Sequence, residues 1–147
     1  MLSTLHTNDA VTAVTRLVDI GIQPYLVAGS LGLIAAQRLI RVLCPHCKEP
    51  YKVDAKTQKD YGIRADTLYK ATGCPKCRKI GYWGRMAIYE VLPIDDDIRR
   101  LVTRDADLGK LKALQMEKKY ETLLQNGIKK VERGVTTLDE VLSVAYE

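Results

Sequence analysis

The 147-residue chain has no phenylalanine, a single tryptophan (Trp83), two histidines and four cysteines. Without Phe, a core must be built from Leu, Ile and Val with Tyr in support. A content of 46% hydrophobic and 28% charged residues is a soluble globular composition, and the length suffices for one core or a core plus a small satellite. No apolar run approaches the ~20 residues that span a bilayer, and Met1-Leu2-Ser3-Thr4 lacks the charged start of a secretory leader. A reducing cytoplasm is therefore expected, which disfavours disulfides. Also missing is a G-x-x-x-x-G-K-[ST] phosphate loop. The one Gly-Lys pair, Gly109-Lys110, is followed by Leu111 and has Arg104 where the first glycine belongs. Without that loop these residues are not expected to cradle a triphosphate or hold its magnesium.

What the chain does have is a doubled motif. Its four cysteines form Cys44-Pro45-His46-Cys47 and Cys74-Pro75-Lys76-Cys77, two C-P-x-C turns separated by 26 residues. Each C-x-x-C can aim two sulfurs at one point, and two of them supply the four ligands of Cys44, Cys47, Cys74 and Cys77 to a closed structural Zn2+ site. The interval is a few residues longer than a usual zinc ribbon, at a small cost in loop closure. Three other readings stand beside it. A redox C-x-x-C needs one pair and leaves its copy unexplained. Paired disulfides conflict with the expected compartment, and four unrelated buried cysteines would not fall into two equal spacings.

The net charge of +5 is concentrated around this motif: Lys48 to Arg85 holds ten Lys and Arg against four Asp and Glu. A four-thiolate zinc centre carries a formal charge of about −2, so Lys48, Lys76, Arg78 and Lys79 read as counter-charge and solvated surface. Aromatic residues in the span keep no repeated register, so nucleic acid is not an expected partner.

In chain order, Leu2 to His6 reads as the end of a strand, and Asp9 to Ile20 as a helix with Thr7, Asn8 and Asp9 as candidate caps and Gly21 as stop. A lone strand has no parallel neighbour, so a sheet completed by other residues is expected. Pro24 opens a second helix, predicted to run to about Leu39, and Leu39 to Leu43 a strand into Cys44. Asp54 to about Tyr61 is a short helix inside the cysteine excursion. Arg85 to Leu92 is a returning strand, paired antiparallel with the first. Beyond Pro93 come helices capped by Asp95 or Asp96 and by Asp107, a third from Glu121 to Arg133, and a last one opened by the capping box Thr137-Leu138-Asp139-Glu140.

Four blocks then carry a resemblance: Leu2-Ser3-Thr4-Leu5-His6-Thr7-Asn8-Asp9-Ala10; Gln37-Arg38-Leu39-Ile40-Arg41-Val42-Leu43-Cys44-Pro45-His46-Cys47; Gly81-Tyr82-Trp83-Gly84-Arg85 with Ile88-Tyr89-Glu90-Val91-Leu92; and Gly134 to Leu142. In this order they resemble the His-box, the entry and exit of the tetracysteine module, and the tail of the secretion ATPase superfamily that drives type II secretion and type IV pilus assembly. The resemblance points to the cysteine-bearing extension branch. It implies an α/β fold: the C-terminal part of a RecA-like P-loop ATPase core, with an inserted tetracysteine zinc module and a C-terminal all-helical subdomain. The expected divisions are 1–43 and 81–93 for the core, 44–80 for the zinc module and 94–147 for the helical subdomain.

The resemblance further implies a cytoplasmic homo-hexamer docked peripherally on an inner-membrane platform, with this stretch packed on a RecA-like core of the same or a neighbouring subunit. His6 would lie near the nucleotide's terminal phosphate or the subunit interface. Walker B and Asp-box segments, like the phosphate loop, have no counterpart here, so ATP and Mg2+ belong to a complete protein and the chain by itself is expected to be inactive. The competing expectation is a free-standing zinc-binding interaction module that docks on protein or nucleic acid through its basic excursion.

Overall fold

The computed structural model describes residues 3–146 and combines helices and strands in two compact units. The first unit comprises Met1–Gln37 and Tyr89–Leu123, the second Arg38–Ile88 and Leu124–Glu147. Among the described residues no helix is long and apolar enough to cross a membrane.

In the first unit, Asp9 caps α1 (Ala10–Asp19) by accepting from the Thr12 amide at 2.6 Å, and α1 buries Ala10, Val11, Ala13 and Val14. Capping replaces a hydrogen bond that the first turn cannot make for itself. Pro24 begins α2 as expected, but α2 ends at Ser30. Its last carbonyls find a partner from outside: the Arg99 guanidinium donates to Ala28 O at 2.6 Å and Leu31 O at 3.1 Å. Arg99 lies on α4 (Asp96–Arg104), capped by Asp95, and α5 (Leu108–Glu117) follows with Asp107 as cap. Val27 and Ala28 of α2, Ile98 and Val102 of α4 and Leu111 of α5 are buried in this unit.

From Leu33, where the helix was expected to continue to Leu39, the chain is instead a strand, β1 (Leu33–Leu43), which includes the Leu39–Leu43 strand that the sequence predicted. Odd positions from Leu33 to Arg41 are exposed and even ones are covered, the period of a strand. Because Leu33, Ala35 and Leu39 on the exposed series are apolar too, the alternation cannot be seen in the residue types. β1 pairs with β4 (Tyr82–Pro93). The Ile94 amide donates to Gly32 O at 3.0 Å at one end, and the Cys44 amide to Gly81 O at 2.9 Å at the other, so the pair is antiparallel, as the sequence predicted. At the start of the chain Leu2 lies outside the described residues, and Ser3 to Thr7 have no regular secondary structure where a strand end was expected.

The second unit contains a hairpin that the sequence did not reveal. β2 (Lys48–Lys52) and β3 (Thr67–Ala71) are antiparallel, from Lys48 opposite Ala71 to Lys52 opposite Thr67. α3 (Ala55–Tyr61), capped by Asp54 as expected, lies between them. Ile63 and Leu68 from this excursion share a core with Ile128 and Val131 of α6 (Leu123–Glu132) and with Leu138 and Val141 of α7 (Leu138–Ala145). A Cβ on Gly127 would lie 2.3 Å from Val141 Cγ1, so glycine is what lets α6 and α7 approach. The helical tail read as one run in sequence is thus shared: α4 and α5 fall in the first unit, nearly all of α6 and α7 in the second.

Candidate metal centre

Cys44 follows the last residue of β1, and the amides of Cys47 and Lys48 turn back to its carbonyl at 3.3 and 3.1 Å. β2 starts at once. On the other side β3 ends at Ala71, and a 3-10 turn, Pro75–Cys77, sends the amides of Cys77 and Lys79 to Cys74 O at 3.2 and 2.8 Å. Pairing of Lys48 with Ala71 therefore brings the two turns together, and the Thr72 hydroxyl donates to Cys47 O across the gap. The 26-residue interval is folded chain. This is why a spacing longer than usual still closes.

The sulfurs meet at one point. All four lie within 4.8 Å of one another, with 4.0 Å from Cys44 to Cys74, 3.8 Å from Cys47 to Cys77 and 3.8 Å from Cys74 to Cys77. Four sulfurs at the Zn–S distance of about 2.3 Å stand about 3.8 Å apart along a tetrahedral edge, whereas a disulfide needs about 2.05 Å. All four cysteines are free thiols. The donor set and its spacing fit zinc.

Electrostatics separates the four. Burial pushes the Cys77 thiol up, but the amides of Cys74 and Gly81, each 3.2 Å from its sulfur, together with the neighbouring sulfurs, outweigh this and lower it to about 6. Cys47 is pushed up to about 11, by burial first and by the adjacent thiols. Amide donation to sulfur favours the charged thiolate, the form that binds metal. Gly81 can approach this closely because it has φ +82° and no Cβ; one added there would stand 2.7 Å from the Ala71 Cβ. His46, inside the first turn, sets its ring 6.0 Å from Trp83.

Two contacts bracing the turns escaped the sequence. Glu140, expected to close a capping box, gives its carboxylate to Arg41: Oε1 accepts from the Arg41 amide and Oε2 from Nε, both at 2.9 Å, with Nη2 at 2.5 Å. Only the Thr137 half of the box stands, its hydroxyl accepting from the Glu140 amide at 3.2 Å. The Arg41 guanidinium lies 4.2 Å from the Tyr82 ring centroid, and the Thr136 hydroxyl donates to Arg41 O at 2.8 Å. Lys48, read as counter-charge, donates its ammonium to Gly134 O at 2.8 Å. No spacing rule signals a bond between residues 99 positions apart. His6 is in the first unit, exposed, in the stretch ahead of α1.

Comparison with known proteins places this geometry. Residues 1–143 match the family model for type II/IV secretion system proteins. The chain is 43% identical, over its whole length, to the type II secretion system ATPase E of Vibrio cholerae and covers 30% of that protein. It is 45% identical over 97% of its length to the type IV pilus assembly ATPase PilB of Myxococcus xanthus, covering 26% of it, and 39% identical to PilB of Thermus thermophilus over its whole length, covering 17%. The chain thus spans less than a third of these relatives. With so much of it matched at such identity, the chain belongs to the type II/IV secretion system protein family.

Proposed function

We propose that these residues serve as the C-terminal part of a cytoplasmic, hexameric ATPase that powers type II protein secretion or type IV pilus assembly. On this reading residues 1–43 and 81–93 belong to a RecA-like core and 94–147 to a helical subdomain, and the assembled protein docks on an inner-membrane platform. Cys44, Cys47, Cys74 and Cys77 hold one structural Zn2+. The observation that carries the reading is the sulfur cluster, spaced for a tetrahedral metal within a chain whose family match runs almost end to end. The metal, when bound, ties the two turns together and leaves no open coordination position for substrate. The protein's own contribution is to hold Cys77 as a thiolate through two amides and to close the β2–β3 hairpin over the site. His6 is the residue nearest the nucleotide chemistry, and the phosphate-holding residues are not among these 147.

Turnover of ATP by the intact protein, compared with Cys44→Ser and Cys74→Ser variants, tests the assignment. The variants lose zinc and fail to assemble, with turnover falling alongside, while the 147-residue chain alone hydrolyses no ATP. Sustained hydrolysis by that chain, or an intact protein that moves no phosphate, contradicts it.

A further inference from the structure

Glu90 occupies an inward position of β4, between Ile88 and Leu92, and is only 3% exposed. A carboxylate on the inner face of a strand is costly unless its oxygens are satisfied. Its Oε1 accepts from the backbone amide of Ala10 at 3.0 Å and its Oε2 from that of Leu123 at 3.1 Å, and both bonds are buried. Ala10 is the first residue of α1 and Leu123 the first of α6. Neither bond comes from a cation. Each helix start behaves as roughly half a positive charge, so two of them together match one carboxylate. A single side chain thus grips the starts of two helices that are 113 positions apart in sequence.

We infer that Glu90 is a positioning residue for the segment that carries His6, an inference resting on the ATPase reading above. Asp9 caps α1 and pairs with Lys112 of α5 at 3.1 Å, so the start of α1 is held by α5 through Asp9 and by β4 through Glu90. His6 lies four residues ahead of that anchor, exposed and without regular secondary structure. Where α1 begins fixes where the His6 segment departs, and Glu90 fixes where α1 begins. Gln at this position keeps the shape but turns an NH2 donor toward one of the two amides. Asp falls one methylene short of spanning both.

The test uses the intact protein and two readouts. Amide exchange at Ala10 and Leu123 should quicken about tenfold at one or both in Glu90→Gln, the size of one lost hydrogen bond. In the same variant kcat should drop about tenfold while KM for ATP holds. Glu90→Asp should behave alike. Val102→Ala, a buried truncation on α4, which carries neither Glu90 nor the helix starts it holds, serves as the control for general destabilisation and should leave kcat unchanged. Unaltered exchange at both amides overturns the clasp, and faster exchange with unaltered kcat overturns its positioning role. An intact wild-type protein without ATP turnover sinks the functional reading instead, and exchange still decides whether Glu90 holds the two helices.

Discussion

The two candidate chemical features of this chain sit in different kinds of surroundings. In the second unit, four sulfurs converge because a hairpin, a 3-10 turn and two antiparallel strand ends all deliver them to one place. In the first unit, His6 is exposed on chain without regular secondary structure, and the first helix begins only after the Asp9 cap. All four sulfurs of the candidate metal centre lie within one compact unit. A catalytic side chain near a nucleotide becomes defined only when the phosphates and the rest of the pocket are present. The contrast teaches that local closure, rather than residue identity, decides which site can be recognised from a part.

The largest expected effect comes from breaking the sulfur cluster. Cys77→Ser removes the sulfur that the Cys74 and Gly81 amides point at, so zinc should leave and amide protection should collapse across residues 44–81. The α1, α2, α4 and α5 helices should keep theirs. Hydrogen exchange read segment by segment checks this, and equal loss in both units would erase the contrast. Next is Glu140→Ala, which leaves the Arg41 amide and guanidinium without their partner. About 2 kcal/mol of stability in the second unit is expected to go, since Arg41 itself is half exposed. Gly127→Ala should cost roughly 1–2 kcal/mol despite better helix propensity, because the new methyl meets Val141. Denaturant unfolding measures both.

Acid sharpens the comparison with the smallest effect. In the first unit the carboxyl of Asp95 is held at about 2, chiefly by its hydrogen bond from Lys118, with the Ile98 amide and Tyr120 hydroxyl assisting. A depressed carboxylate stabilises the fold above its ordinary value near 3.8, and that contribution fades as pH falls toward 2. Glu140 in the second unit is raised by burial but carried below its ordinary value by Arg41, so its contribution also persists above about 4.5 and is lost on acidification. Asp95→Asn should flatten the acid limb of the first unit's melting curve while leaving the second unit's unchanged. An unaltered acid limb would assign no weight to the Asp95–Lys118 pair.

Much of this fold was legible because its signals are local. Asp54, Asp107 and Thr137 cap the helices they were expected to cap, and Asp9 and Asp95 are the ones that do so among the adjacent candidates, since a cap depends on three or four neighbouring residues. The cysteine turns were legible for the same reason. What failed was non-local. The first half of β1, Leu33 to Leu39, has a helical expectation because both its faces carry apolar residues, while Leu39 to Leu43 is the strand expected there. The β2–β3 hairpin was hidden by the polar run Lys48-Glu49-Pro50-Tyr51-Lys52, whose pairing with Thr67–Ala71 is fixed across α3. Glu140 looked like a cap partner, and only the fold could show Arg41 at hand to claim it.

The most direct measurement is the zinc content of the purified protein together with a count of thiols freed by a chelator. One zinc per chain, with all four cysteines protected until chelation and reactive afterwards, is the expected result. No stoichiometric zinc, or cysteines that react freely beforehand, would contradict the four-thiolate centre.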